Sequence, residues 1–275
     1  MSGTVRREKQ DLTYLRWSHM RNSSGTAGTF LKAESSLSGE KIYYKLSNFD
    51  PVRGVVGHEC VNEIIVDRLL TILRVEHLPY ELLHADILVE GKTYETYLCA
   101  SKDFKERGES KVALDDYYRN NALQGESHYD FCVRNGWKDY IDTMIAIDYI
   151  IQNRDRHGAN IEILRNSRAH TVRIAPLFDH GLSLLYSCAT DEEALKFDVM
   201  ADRKCQNFVG SFSCRDNLKL IDGRKELFPG KLRKKDKENL LAGLDGVLSE
   251  TFLDAIWRMI YTRYISLESE VYENI

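Results

Sequence analysis

Two short segments hold the side chains best suited to chemistry: Asn153-Arg154-Asp155-Arg156-His157-Gly158-Ala159-Asn160 and Ala175-Pro176-Leu177-Phe178-Asp179-His180-Gly181. Asp155 stands five residues before Asn160, and a second aspartate, Asp179, follows across what reads as a β-hairpin. Residues 161–164 and 171–174 are strand-like, and 165–170 between them is rich in turn formers. Folding that hairpin about 167–169 sets Asn160 opposite 176–178 and brings it close to Asp179. Phosphoryl transfer from ATP needs such a cluster: one carboxylate to orient the acceptor hydroxyl and take its proton, and oxygen ligands to hold Mg²⁺ on the phosphates. Asp155 would face the hydroxyl, while Asn160 and Asp179 would face the metal. His157 is a second candidate for the base, or a residue that orients the loop; a ring bonded only to backbone is the structural alternative. Either segment alone also reads as an ordinary polar turn. Their pairing at hairpin distance is the specific signal.

A nucleotide site requires elements upstream to hold phosphates. The loop Asn22-Ser23-Ser24-Gly25-Thr26-Ala27-Gly28 lies between two strand-like runs. Its backbone N–H groups and the hydroxyls of Ser23, Ser24 and Thr26, with freedom from Gly25 and Gly28, suit phosphate oxygens. It matches neither Gly-x-x-x-x-Gly-Lys-Ser/Thr nor Gly-x-Gly-x-x-Gly, and a plain surface turn is the competing reading. Lys45 sits within Ile42-Tyr43-Tyr44-Lys45-Leu46. Strand alternation puts it opposite Tyr44 and Leu46, either on an exposed edge or facing the phosphates from a cleft. Glu59 and Glu63, four apart near the start of a helix, share one face, so either could hold the ammonium or be a solvated helix charge.

The order of elements follows from periodicity. A strand is expected at 12–17, a hairpin at 29–33 and 42–46 turning at Ser38-Gly39, a helix at 58–73, and a second hairpin at 82–89 and 93–98 turning at Glu90-Gly91. Residues 102–110 read as a connector. Helices are expected at 137–151, near 216–226 and 235–245, and over 251–268. Strands around one helix, then a helical half with an inserted hairpin, predict an α+β fold of two lobes, 1–105 and 106–275.

The 275 residues, 43% apolar and 29% charged, suit a folded core of ordinary composition. A net charge of −4 gives no general attraction for nucleic acid or anionic membrane. The basic run 231–237 reads as a solvated linker before a helix, with docking of an acidic partner as the alternative. The cysteines at 60, 99, 132, 188, 205 and 214 form no Cys-x-x-Cys pair and fit reduced thiols. With no apolar leader or spanning segment, the expectation is a soluble cytoplasmic protein without membrane contact or direct nucleic-acid binding.

Asn-x-Asp-Arg-His-x-x-Asn at 153–160, followed by Pro-Leu-Phe-Asp at 176–179, resembles the HipA-like serine/threonine kinases of bacteria, which are similar to the phosphatidylinositol 3/4-kinase branch of the kinase fold. The resemblance runs from the 23–29 loop through Tyr44-Lys45-Leu46 to Asp179 and fades beyond about residue 190. It implies a kinase-like fold, ATP and Mg²⁺, Asp155 as catalytic aspartate, Asn160 and Asp179 as metal ligands, and Lys45 as the nucleotide lysine. Asn62-Glu63, with Pro79 downstream, resembles the family's glutamate-bearing helix and favours Glu63 over Glu59. Some members phosphorylate a serine of their own phosphate loop, the place held here by Ser23 and Ser24. The extra N-terminal subdomain of the long toxins is not expected, and Asp-His-Gly stands where eukaryotic protein kinases have Asp-Phe-Gly. Implied partners are a protein with a Ser/Thr acceptor and a regulatory, antitoxin-like protein. A lipid or small alcohol as acceptor, and a nucleotide-binding regulatory module, are the alternatives.

Overall fold

A computed structural model of the chain describes residues 3–20, 27–36, 39–221 and 226–272. The first part is a sheet wrapped on one helix. Its strands are β1 (Thr4–Asp11), β2 (Ser18–Met20), β3 (Ala27–Ser35) and β4 (Ile42–Lys45), followed by a small ribbon, β5 (Phe49–Asp50) with β6 (Gly54–Val55). Helix α1 (Glu59–Leu73) precedes the long strands β7 (Tyr80–Val89) and β8 (Lys92–Lys102). The spatial order is β1-β7-β8-β4-β3-β2, with β1 parallel to β7 and the other pairs antiparallel. The β7–β8 turn falls at Glu90-Gly91 as expected; both residues have positive φ, 49° and 79°, as a two-residue turn matched to strand twist requires.

One expectation here needs correction, and one pair of alternatives is decided. Residues 12–17 are not a strand: β1 ends at Asp11, and Leu12 and Leu15 leave the sheet to fill a small apolar cluster with Tyr44, Leu46 and Ile87. Lys45 is not on an edge, because β4 lies between β8 and β3. Alternation turns Tyr44 and Leu46 into the small cluster and Lys45 to the opposite face, toward α1.

The second part is mainly helical, with a three-stranded sheet set into it. After residues 103–109 come β9 (Ser110–Ala113), α2 (Leu114–Asn121), α3 (His128–Arg134) and α4 (Lys138–Ile151). Then follow β10 (Asp155–Arg156), the hairpin β11 (Glu162–Asn166) and β12 (Thr171–Ile174), and α5 (Asp191–Lys196). Last are β13 (Gln206–Asn207), α6 (Cys214–Asn217), α7 (Lys237–Leu241) and α8 (Glu250–Tyr272). Strand β9 pairs with β11, which periodicity did not indicate. Of the helix expected near 216–226, residues 222–225 lie outside the described residues, and the described part is the end of α6 and one 3-10 turn at Leu218–Leu220; that expected at 235–245 is only α7 after a 3-10 turn. Both stretches are too short in apolar repeat to carry more than a turn or two.

One large core joins α1 to α4 and α8. Ile64, Ile65, Leu69 and Leu70 are wholly buried, each contributing roughly 1.5–3 kcal/mol. Helix α1 also buries Glu59, Asn62, Glu63 and Asp67 on another face. Its apolar stripe therefore anchors a helix whose polar column is also inside. All six cysteines are free thiols and buried. Among the described residues, no helix is long and apolar enough to cross a membrane.

Candidate functional site

A cleft of about 730 Å³ lies where the faces of β4 and β8 meet the 159–162 and 178–179 segments; Lys45, Tyr80, Cys99, Asn160, Phe178 and Asp179 are on its walls. Lys45 reaches it from the centre of the sheet. Its Nζ lies 2.9 Å from Glu63 Oε1 and 2.5 Å from Asp179 Oδ1, with the Phe30 ring 4.9 Å away. Burial alone would discharge the amine, but the carboxylates of Asp179 and Glu63 outweigh it and raise its pKa well above the usual lysine value. Burial also raises Glu63, against the pull of Lys45.

The polar column of α1 assigns each carboxylate a separate partner. Glu59 Oε2 accepts from the backbone N–H of Asn48 at 3.0 Å, in the turn after β4. Glu63 takes Lys45 with one oxygen and the His180 N–H, at 2.8 Å, with the other. Asp67 accepts from Tyr80 N at 2.6 Å. Glu63, not Glu59, is therefore the lysine partner. Between them Asn62 Nδ2 donates to the carbonyls of Gly181 and Ser183, each at 3.0 Å, and ties the Asp179–Gly181 segment to the helix.

Residues 175–179 are extended but irregular, held by the Leu78 N–H on Leu177 O at 2.8 Å. Asp179 itself has φ of +60°, a left-handed conformation that aspartate tolerates better than most residues. Its N–H donates to Tyr80 Oη at 3.3 Å. Gly181 approaches its neighbours closely: a Cβ there would sit 3.1 Å from Glu59 Cβ and 3.3 Å from Lys45 Nζ, so those side chains would have to give by a few tenths of an ångström.

The 153–160 loop begins where α4 ends, at Gln152 with φ of +49°. Strand β10 pairs with β13, and a 3-10 turn spans Gly158–Asn160. Within the loop, Asn160 Nδ2 donates to Asp155 O at 2.7 Å and Asp155 Oδ2 at 3.3 Å, so the amide's other end is its oxygen. His157 Nδ1 accepts from Ala159 N at 3.2 Å. The neutral ring then carries its proton on Nε2, which stands 3.4 Å from Asp155 Oδ1. Its ring is thus directed at the aspartate, a geometry that orients Asp155. The register of β11 with β12, Ile163 opposite Ile174, extends to put Asn160 level with Leu177.

Residues that sequence reading missed join these segments. The Arg156 guanidinium is wholly buried; it pairs with Asp148 at 3.0 Å and donates to Phe178 O at 2.9 Å and Asn160 O at 3.4 Å. One side chain thereby fixes the loop against the residue preceding Asp179. Burial opposes its charge, yet Asp148 keeps the pKa raised. Asp148 also accepts from Asn153 Nδ2 at 3.0 Å, and Asn153 Oδ1 accepts from Asp155 N at 3.1 Å. The available signal is a lone aspartate, Asp148, in the otherwise apolar end of α4.

The upstream loop is less complete. Ser23, Ser24, Gly25 and Thr26 lie outside the described residues, and Gly28 is in β3. Among the described residues, no three His, Cys, Asp or Glu side chains stand together for a metal. Asn160 and Asp179 both line the cleft and offer one amide and one carboxylate oxygen. That donor set fits Mg²⁺ shared with phosphates rather than a dedicated protein cage.

No family model matches the chain, and no curated protein matches it in sequence. In structure it is similar to a proinflammatory kinase of Helicobacter pylori, CtkA, with a TM-score of 0.63 at 17% identity over 96% of this chain and 98% of that one. The two share a fold along their whole lengths. A chain of the toxin–antitoxin complex of HipA, HipB and operator DNA from Shewanella oneidensis MR-1 overlaps at a TM-score of 0.37 and 11% identity, over 95% of this chain and 57% of that one, too slight a likeness to argue from.

Proposed function

We propose that this chain is an ATP- and Mg²⁺-dependent serine/threonine protein kinase, with an N-lobe over 1–105 and a C-lobe over 106–275. The observation that carries the reading is the meeting of Lys45, Glu63 and Asp179 in a cleft whose wall also bears Asn160, itself bonded to Asp155. Lys45 holds the nucleotide phosphates and Glu63 keeps its ammonium in place. Asn160 and Asp179 would hold Mg²⁺, which neutralises charge on the triphosphate. Asp155, oriented by His157, receives the acceptor hydroxyl and takes its proton as the oxygen bonds to the γ-phosphorus and the bond to ADP breaks. The fold shared with a kinase supports this assignment. The motif resemblance at 153–160 and 176–179 favours a protein acceptor of the HipA-like type, including Ser23 or Ser24 of the chain itself.

The test is incubation of purified protein with γ-labelled ATP and Mg²⁺ beside generic protein acceptors and phosphoinositide vesicles. Label on protein serine or threonine, abolished by EDTA, is the expected result. Label on lipid alone would overturn the protein acceptor, and no transfer with any acceptor would overturn the kinase reading.

A further inference from the structure

Four of the buried cysteines lie in contacting couples, and one couple is built against the 153–160 loop. Cys205 Sγ and Cys214 Sγ are 3.5 Å apart. The residues are nine apart in sequence, and the Cys205 N–H bond to Phe212 O, 2.9 Å, closes the intervening segment on itself. Cys205 is on the strand side of that loop, immediately before β13; Cys214 opens α6, whose N-cap Ser213 accepts from Asp216 N. Neither thiol is used by the proposed phosphotransfer chemistry.

We propose that Cys205 and Cys214 are an oxidisable dithiol whose disulfide alters the 153–156 backbone. Three observations bear on it. The thiols are already in contact, and a disulfide at ~2.05 Å needs a closure of only about 1.5 Å. Part of the segment that joins the pair is open: Gly210, Ser211 and Phe212 are exposed, so a local opening of a few residues admits a small oxidant. Finally, the pair is wired to the loop. Cys214 Sγ–H donates to Asn153 O at 3.5 Å, while Gln206 N and Phe208 N donate to Arg154 O and Arg156 O at 2.9 and 2.8 Å.

The chemistry balances with a peroxide as co-reactant. The Cys205 thiolate attacks one peroxide oxygen, the O–O bond breaks, and a sulfenic acid and one water form. The first water is the leaving hydroxide with the proton given up by the Cys205 thiol; Cys214 sulfur then attacks the sulfenic sulfur, the S–OH bond breaks, and the hydroxide leaves with the Cys214 thiol proton as a second water. Two thiols are oxidised and one peroxide is reduced. Cys214 has a single S–H, shared between Asn153 O and Cys205 Sγ at 3.5 Å each, and its contact with Cys205 lowers the Cys205 pKa. In the disulfide no S–H remains for Asn153 O, the residue whose side chain sets Asp155 N.

The full chain, reduced and then treated with hydrogen peroxide under native conditions, should give a peptide linked through Cys205 and Cys214, lost on treatment with dithiothreitol. Cys214→Ser should instead leave a sulfenic acid on Cys205 that dimedone traps. Amide exchange at 153–156 should be several-fold faster in the oxidised wild type than in the reduced form. Absence of the linked peptide, or its appearance only in denaturant, would overturn the dithiol. A linked peptide with unchanged exchange would overturn the coupling to the loop. These readouts do not depend on phosphotransfer, so they fail or succeed separately from the kinase reading.

Discussion

Asp155 is the residue on which the proposed chemistry turns, and its surroundings give its replacement a sharp signature. Asp155→Asn keeps the size and the neighbourhood of His157 and Asn160 but removes the proton acceptor. Transfer should fall about 10²–10⁴-fold with ATP affinity little changed, read from single-turnover kinetics and nucleotide titration; full activity would remove Asp155 from the reaction. The two glutamates of α1 separate in the same way. Glu63→Gln takes one of two carboxylates from a buried ammonium and should weaken ATP binding and transfer together, whereas Glu59→Gln loses only a bond to the Asn48 backbone and should leave nucleotide affinity intact. Equal losses in nucleotide titrations of both would contradict the assignment. The meeting of Asn160 and Asp179 on one cleft was legible in sequence because they flank the 162–174 hairpin, with Asp155 five residues before Asn160. Periodicity alone did not separate Glu59 from Glu63, which share one helix face; the resemblance around Asn62-Glu63 favoured Glu63, and the direction of β4 and the path of the Asp179–Gly181 segment place it on Lys45.

At the scale of elements, helix α1 lies where its repeat placed it, over Glu59–Leu73 for an expected 58–73. Its repeat at Val61, Ile65, Leu69 and Ile72 marks an apolar stripe but says nothing of what its polar column meets. The helix is in fact buried on its polar column too, because β4, β7 and the 179–183 segment all bring partners to it. Long-range bonds of that kind leave no periodic trace. His58, at the start of this helix, packs edge-on against Phe252 of α8 at 4.8 Å, and burial pushes its imidazole down to about 4. The unfolded ring takes its proton near the ordinary 6.5, so this contribution to stability is present above pH 6.5 and is lost as pH falls toward 4. His180, also pushed down by burial, acts in the same direction. His58→Phe keeps a ring against Phe252 and should reduce the proton uptake on unfolding near about pH 5 by roughly one. Denaturant melts across that range measure it, and an unchanged slope would contradict a neutral buried ring. The Asp148–Arg156 strut predicts a larger cost. Asp148→Ala leaves the guanidinium buried without its carboxylate and should cost about 3–5 kcal/mol in the same melts, against near-neutral loss for the exposed Lys196–Glu192 pair.

On the scale of the whole molecule, the fold brings a sheet-borne lysine to the loop-borne Asp179 in a cleft that Asn160 also lines. The α+β order was legible from the switch of periodicity near residue 110, and the hairpin at 161–174 from its turn residues. Less visible were β1, which pairs in parallel with β7 some seventy residues later, and β9, which joins β11 across α2, α3 and α4. Such pairings are set by closure of distant segments, which local pattern does not encode. A site spread over both parts should couple ligand binding to global stability. ATP with Mg²⁺ at about a hundred times Kd should add roughly 2.7 kcal/mol, and Asp179→Asn should lose most of that gain, seen as the shift in melting temperature; an equal gain in the variant would place the nucleotide elsewhere. The most direct measurement is a crystal structure with Mg²⁺ and a non-hydrolysable ATP analogue. The account predicts phosphate oxygens on Lys45 Nζ and the cation bound by Asn160 Oδ1 and Asp179. A nucleotide outside this cleft, or a cation that touches neither side chain, would contradict it.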